Sequence, residues 1–130
     1  MAAPPEFGWA IVGPGNIARR FAGALRGVDG ARLAAVVGRD AARAEAFAQT
    51  WRHGSAAPFV STDLAAALAR PDVHAVYVAT PHPFHAEPVR ASLMAGKPVL
   101  CEKPMTVNAA GTRALVELAQ RRRVFLMEAV

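Results

Sequence analysis

The sequence predicts an α/β fold: a doubly wound parallel sheet with helices on both faces. Three observations predict it. Six short apolar runs alternate with helix-period patterns along the 130 residues. The runs are nearly continuous in apolar residues, as strands buried on both faces are. Two bare glycines also stand between the first run and the first helical pattern, in "VGPGNIARRF" (12–21).

The elements follow in order. "GWAIVG" (8–13) reads as a strand, and Ile17, Phe21 and Leu25 then recur at helical spacing, which predicts one inward helix face. "ARLAAVVG" (31–38) is a second strand. "DAARAEAFAQTW" (40–51) is a helix with Asp40 as N-cap and Ala44, Phe47, Ala48 and Trp51 on one side. "PFVST" (58–62) is a short third strand. Asp63 caps "LAAALA" (64–69), which Pro71 terminates. "VHAVYVAT" (73–80) is the clearest strand, closed by Pro81 and Pro83. A helix covers 85–95, with Val89 and Leu93 inward and Gly96 as its stop. "KPVLCE" (97–102) is the fifth strand. Thr106 or Asn108 opens the last helix, which ends in Arg121, Arg122 and Arg123, where cations suit the helix dipole. "VFLMEAV" (124–130) is the sixth strand. The expected strand order is 3-2-1-4-5-6. No internal repeat or linker interrupts the pattern. A chain that stops on a strand reads as the first domain (1–130) of a longer protein, without its substrate domain.

Composition narrows the class. Hydrophobic residues make up 53% and charged residues 19%, enough core and too little charge for a disordered chain. The net charge of +5 favours an anionic partner: a nucleotide, a nucleic acid or an acidic metabolite. Cys101 is the single cysteine, so no internal disulfide forms, which fits a reducing cytoplasm. No basic residue precedes the first apolar run and Glu6 interrupts it, which argues against a secretory signal. No uncharged apolar stretch reaches the roughly 20 residues of a membrane helix.

Gly13, Gly15 and Ala18 form G-x-G-x-x-A between strand and helix, the setting of a Rossmann dinucleotide site. Gly13 allows a tight turn. Gly15 lets a pyrophosphate approach the backbone, and Ala18 lets the helix pack close. The N–H groups near Asn16 and Ile17 point at the phosphates. The second strand ends in Gly38 and Arg39, where an NAD site usually places an acid for the ribose 2′-hydroxyl. Gly38 leaves room for a 2′-phosphate and Arg39 can pair with it, so NADP is expected over NAD. The competing reading has Asp40 doing the acid's work. The missing acid also speaks against a methyltransferase.

"ATPHPFH" (79–85) leaves the fourth strand, and "CEKP" (101–104) leaves the fifth, both at the carboxyl edge that borders the ligand crevice. Lys103 is thereby expected beside His82 and His85, where an ammonium can give or take a proton. G-x-G-x-x-A, T-P-x-x-x-H and A-G-K-x-V-x-x-E-K-P, in this order, resemble the glucose–fructose oxidoreductase / inositol dehydrogenase family. The resemblance covers essentially the whole chain but only the N-terminal half of such proteins. "HPFH" and "FLMEAV" are similar to its dimeric dihydrodiol dehydrogenase branch, whose members are NADP-dependent and oxidise trans-dihydrodiols or aldoses. The resemblance implies that Lys103 is the catalytic lysine on the reacting oxygen. It places Glu102 near the nicotinamide and ribose, and Thr80, Pro81 and His82 in the loop passing the cofactor. It makes His85 the histidine at the start of the helix. The position of His82 is often Asn in the wider family.

Blander readings compete. His82 and His85 have H-x-x-H spacing, but two ligands, even with Cys101, do not make a zinc site, so no metal is expected. His85 can simply cap a helix, and Lys103 can be a solvated loop residue. Phe47 and Trp51 read as core, and Cys101 as a buried strand residue. The expectation is an NADP-dependent oxidoreductase acting on a sugar, polyol or diol, in a homo-oligomeric parent without nucleic-acid or membrane partners. The alternative is a non-catalytic NAD(P)-binding or sensing module. A DNA-associated regulator rests on the basic charge alone.

Overall fold

The structure is a computed structural model that describes residues 6–52 and 56–129. Its strands are β1 (Phe7–Val12), β2 (Ala31–Val37), β3 (Phe59–Ser61), β4 (Ala75–Val78), β5 (Val99–Cys101) and β6 (Leu126–Glu128). Its helices are α1 (Asn16–Leu25), α2 (Ala41–Trp51), α3 (Leu64–Leu68), α4 (Ala86–Met94) and α5 (Ala109–Arg122). All five pairings are parallel and the order is β3-β2-β1-β4-β5-β6, as expected. The chain steps outward from β1 to β3, then returns to β4 on the other side of β1. That reversal opens a crevice at the carboxyl ends of β1 and β4.

Alternate strand residues face opposite layers. Ile11, Leu33, Val36 and Tyr77 pack with Ala18 and Ala22 of α1 and Ala44, Phe47 and Ala48 of α2. Ala10, Val12, Val76, Val78 and Val99 pack with Leu68 of α3, Val89 and Leu93 of α4, and Leu115 and Ala119 of α5. The helix stops and starts follow the local chemistry. Asp40 accepts from the Arg43 N–H and Asp63 from the Ala65 N–H. Of the two residues expected to open the last helix, Asn108 is the cap, accepting from the Gly111 N–H, while Thr106 Oγ1 donates to the Asn108 carbonyl. Gly96 ends α4 with φ +76.

Three details differ from the sequence reading. The inward face of α1 is Ala18, Ala22 and Leu25, while Ile17 is exposed and Phe21 half-buried. Small residues bring α1 close to the sheet, so its first turn presents Ile17 outward. Strands β2 to β6 are one to four residues shorter than their apolar runs, while β1 keeps its length but starts and ends one residue earlier. A 3₁₀ turn (His82–Phe84) intervenes before α4, which therefore starts at Ala86. Val130, the last residue of the expected sixth strand, lies outside the described residues.

Candidate functional site

The two glycines of the turn do different work. Gly13 has φ +93, and a Cβ there would lie 2.6 Å from the Thr80 nitrogen. The turn is thus pressed against the exit of β4, and only glycine fits. Gly15 is extended, at φ −140 and ψ −164, and a Cβ there would meet nothing within 4 Å. Neither the backbone nor the packing demands glycine at 15. The space left bare there is open to a group approaching from outside. Gly15 is also the N-cap of α1 and provides no side-chain cap, so the first-turn N–H groups, those of Asn16 and Ile17 among them, are left for an acceptor.

Gly38 follows β2, and its missing Cβ faces Pro14, whose Cδ would be 3.0 Å away. Close packing of the glycine turn on β2 is therefore a reason for Gly38 beside the room expected for a phosphate. Arg39 is exposed and makes no hydrogen bond or ion pair among the described residues. Its guanidinium carbon lies 5.7 Å from the centroid of the Phe84 ring.

The β4 and β5 exits are tied together by His85. The ring is fully buried. Its Nε2 lies 2.7 Å from the Thr80 carbonyl oxygen and its Nδ1 lies 2.7 Å from the Pro104 carbonyl oxygen. A neutral imidazole donates to one of these oxygens and the doubly protonated ring donates to both. With no free ring nitrogen, His85 acts as a brace between two loops. His82, in contrast, is exposed, with its ring edge toward His85 at 5.6 Å. The Thr80 hydroxyl donates to the Phe84 carbonyl at 3.0 Å and closes the 3₁₀ turn after Pro81. Replacing His85 by leucine is expected to lower stability by about 1–3 kcal/mol, since a carbonyl that accepts from the ring loses its donor inside the protein. A urea titration showing an unchanged midpoint would contradict the brace.

Lys103 lies two residues beyond β5 and is exposed at the same edge. Glu102 beside it is half-buried, and the Tyr77 hydroxyl donates to its Oε1 at 3.1 Å. The Tyr77 ring stacks on Phe21 of α1 at 4.0 Å between centroids. Burial, then the neighbouring Glu102 carboxylate, raises the Tyr77 pKa, so the phenol stays a donor. The expectation of a buried strand cysteine is met: Cys101 is fully buried, and burial, with Glu128 and Glu102 nearby, pushes its thiol up to about 12. It is inert at neutral pH.

Sequence reasoning missed Tyr77, Phe84 and Glu128, whose carboxylate accepts from the Met105 N–H at 2.7 Å beyond the lysine loop. Tyr77 carried a faint signal, a phenol in an otherwise aliphatic strand. Phe84 was hidden inside the loop motif. A groove of about 570 Å³ between α3 and α4, lined by Leu64, Leu68, Arg90 and Met94 among others, contains none of the edge residues. Among the described residues no three His, Cys, Asp or Glu side chains gather as a metal site would need, and no helix is long and apolar enough to cross a membrane.

A backbone opening at Gly15, free first-turn amides, an unpaired arginine after β2 and an acid–lysine pair after β5 line one sheet edge. The set fits a dinucleotide laid across the crevice. The sequence comparison decides the family. Residues 7–130 match the oxidoreductase family described as the NAD-binding Rossmann fold of Gfo/Idh/MocA.

The chain belongs to this family.

It is 42% identical over 124 residues to trans-1,2-dihydrobenzene-1,2-diol dehydrogenase of Mus musculus, covering 94% of the chain and 36% of that protein. It is 40% identical over 136 residues to the NADP(+)-dependent D-xylose 1-dehydrogenase of Hypocrea jecorina, covering 98% and 34%. Among solved structures, a 3-ketoreductase from Actinomadura kijaniata in complex with NADP and TDP-benzene superposes with TM-score 0.85 at 32% identity, over 96% of the chain and 37% of that structure. The chain thus spans about a third of the length of these relatives, the part that forms the NAD(P)-binding domain.

Proposed function

We propose that this domain serves an NADP-dependent oxidoreductase that moves hydride to or from a carbinol or carbonyl carbon of a sugar, polyol or cyclic diol. The observation that carries it is the placement of the Gly15 opening after β1 and the Glu102–Lys103 pair after β5 on the same carboxyl edge of the sheet, with β4 between them. The nicotinamide, when bound, supplies the hydride chemistry. The chain's own residues would do the rest. Gly13, Gly15, Asn16 and Ile17 would hold the pyrophosphate through backbone amides. Gly38 and Arg39 would receive the adenosine ribose and its 2′-phosphate. Thr80, Pro81, His82 and Glu102 would line the nicotinamide ribose. His85 would act through the two carbonyls it holds, and Lys103 would give or take the proton at the substrate oxygen. The xylose and dihydrodiol dehydrogenases among the relatives support that substrate class, and the single buried Cys101 suits a cytoplasmic enzyme. Its parent is proposed to be a homo-oligomer.

Calorimetric titration with NADP⁺ and NAD⁺ tests the cofactor. NADP⁺ should bind more tightly, and Arg39→Ala should weaken NADP⁺ alone by about 5- to 150-fold, the range of a lost charge-assisted contact of about 1–3 kcal/mol. Equal or tighter NAD⁺ binding would overturn the NADP assignment. Asp40 is engaged as the α2 cap, accepting from the Arg43 N–H at 3.1 Å, which supports Arg39 over Asp40 as the ribose-end determinant.

A further inference from the structure

We infer that Phe84 is a specificity-determining residue, a ring that holds Arg39 ready for the 2′-phosphate. The inference rests on the reading of Arg39 given above. Arg39 lies two residues beyond β2, and Phe84 lies beyond β4 in the 3₁₀ turn. In the sheet, β2 and β4 are separated by β1. Two strand spacings are about 9.5 Å, so a contact between these residues spans the end of β1, above the glycine turn. The guanidinium makes that span, sitting 5.7 Å from the Phe84 centroid.

Each partner is unusual without the other. The Phe84 side of the turn is fixed, since its N–H donates to the Pro81 carbonyl at 2.8 Å and its carbonyl accepts from Thr80. Yet the residue is 54% exposed, an apolar ring held out in water at the mouth of the crevice. Arg39 has its whole donor set unspent among the described residues. A guanidinium stacked on a ring uses its face and leaves its N–H edge open. A phosphate is bound by that edge, through paired donors. The ring therefore restricts a long, mobile side chain without consuming any of the donors that a phosphate needs. That lowers the ordering cost of binding.

The effect should fall on NADP alone, because NAD carries no 2′-phosphate for Arg39 to meet. Phe84→Leu keeps an apolar side chain and removes the π face. In titrations of the chain, it should raise the Kd for NADP⁺ about 2- to 5-fold, the size of an exposed cation–π contact, and leave that for NAD⁺ unchanged. Phe84→Trp should retain or improve NADP⁺ affinity. In an Arg39→Ala background, Phe84→Leu should have no further effect on either cofactor. An unchanged NADP⁺ to NAD⁺ ratio in Phe84→Leu would overturn the inference, and so would equal weakening of both or an undiminished effect without Arg39. If the unsubstituted chain prefers NAD⁺, or if Arg39→Ala leaves NADP⁺ binding intact, it is the NADP reading that fails.

Discussion

Gly13→Ala is expected to destabilise the fold by about 2–6 kcal/mol, while Gly15→Ala leaves stability within about 1 kcal/mol and abolishes tight nucleotide binding. The first cost has two sources. A φ of +93 is a conformation that L side chains rarely adopt, and the new Cβ would stand 2.6 Å from the Thr80 nitrogen and 2.8 Å from the Ala79 carbonyl carbon. Those atoms cannot easily retreat. The Ala79 N–H donates to the Val12 carbonyl at 2.8 Å, and the Thr80 carbonyl is held by His85. A loss of this size is a large share of the roughly 5–15 kcal/mol that keeps a domain folded. At Gly15 the backbone is extended and a Cβ meets no protein atom within 4 Å. Its methyl would instead intrude on the space proposed for the pyrophosphate beside the α1 amides. Urea melts and NADP⁺ titrations of both variants check the pair. An equally unstable Gly15→Ala would return both glycines to a packing role.

Much of this was legible in the sequence, and the reasons are physical. The parallel sheet followed from the alternation of apolar runs with helices, and its strand order from the glycine turn that marks a dinucleotide-binding fold. Asp40, Asp63 and Gly96 marked helix ends because their local hydrogen bonds and backbone preferences depend on near neighbours only. What was not legible depends on residues far apart in the chain. The inward face of α1 went to Ala18 and Ala22 rather than Ile17, because the sheet selects closeness, which periodicity does not measure. The brace from His85 to Thr80 and Pro104 joins loops 5 and 19 residues away from the histidine. The stack of Phe21 on Tyr77, and the Tyr77 contact with Glu102 across 25 residues, needs three elements in place at once. Motif spacing located the edge where Glu102 and Lys103 stand. It could not say that Tyr77 orients the carboxylate from beneath.

Lys103→Met should lower kcat by about 10²- to 10⁴-fold in an active enzyme that carries this domain, the usual range for lost acid–base help. The lysine follows β5 at the carboxyl edge, so its side chain starts beside the crevice. Its neighbour Glu102 is anchored on both sides, by its N–H to the Val78 carbonyl at 2.9 Å and by the Tyr77 hydroxyl to its carboxylate. The next carbonyl but one, that of Pro104, is held by His85. The Lys103 backbone is thus fixed between two anchors while its ammonium stays exposed, as a group that must meet a substrate requires. An ammonium there would stabilise a developing alkoxide or pass its proton, and both effects would act mainly in the transition state. Methionine keeps much of the length of the stem and removes the charge, so NADP⁺ affinity should change little, the proposed phosphate sites following β1 and β2 rather than β5. Single-turnover rates at saturating cofactor, with a parallel NADP⁺ titration, separate the two. A rate within a few-fold of the unsubstituted enzyme would make Lys103 a surface residue, and a matching loss of NADP⁺ affinity would make it a binding residue.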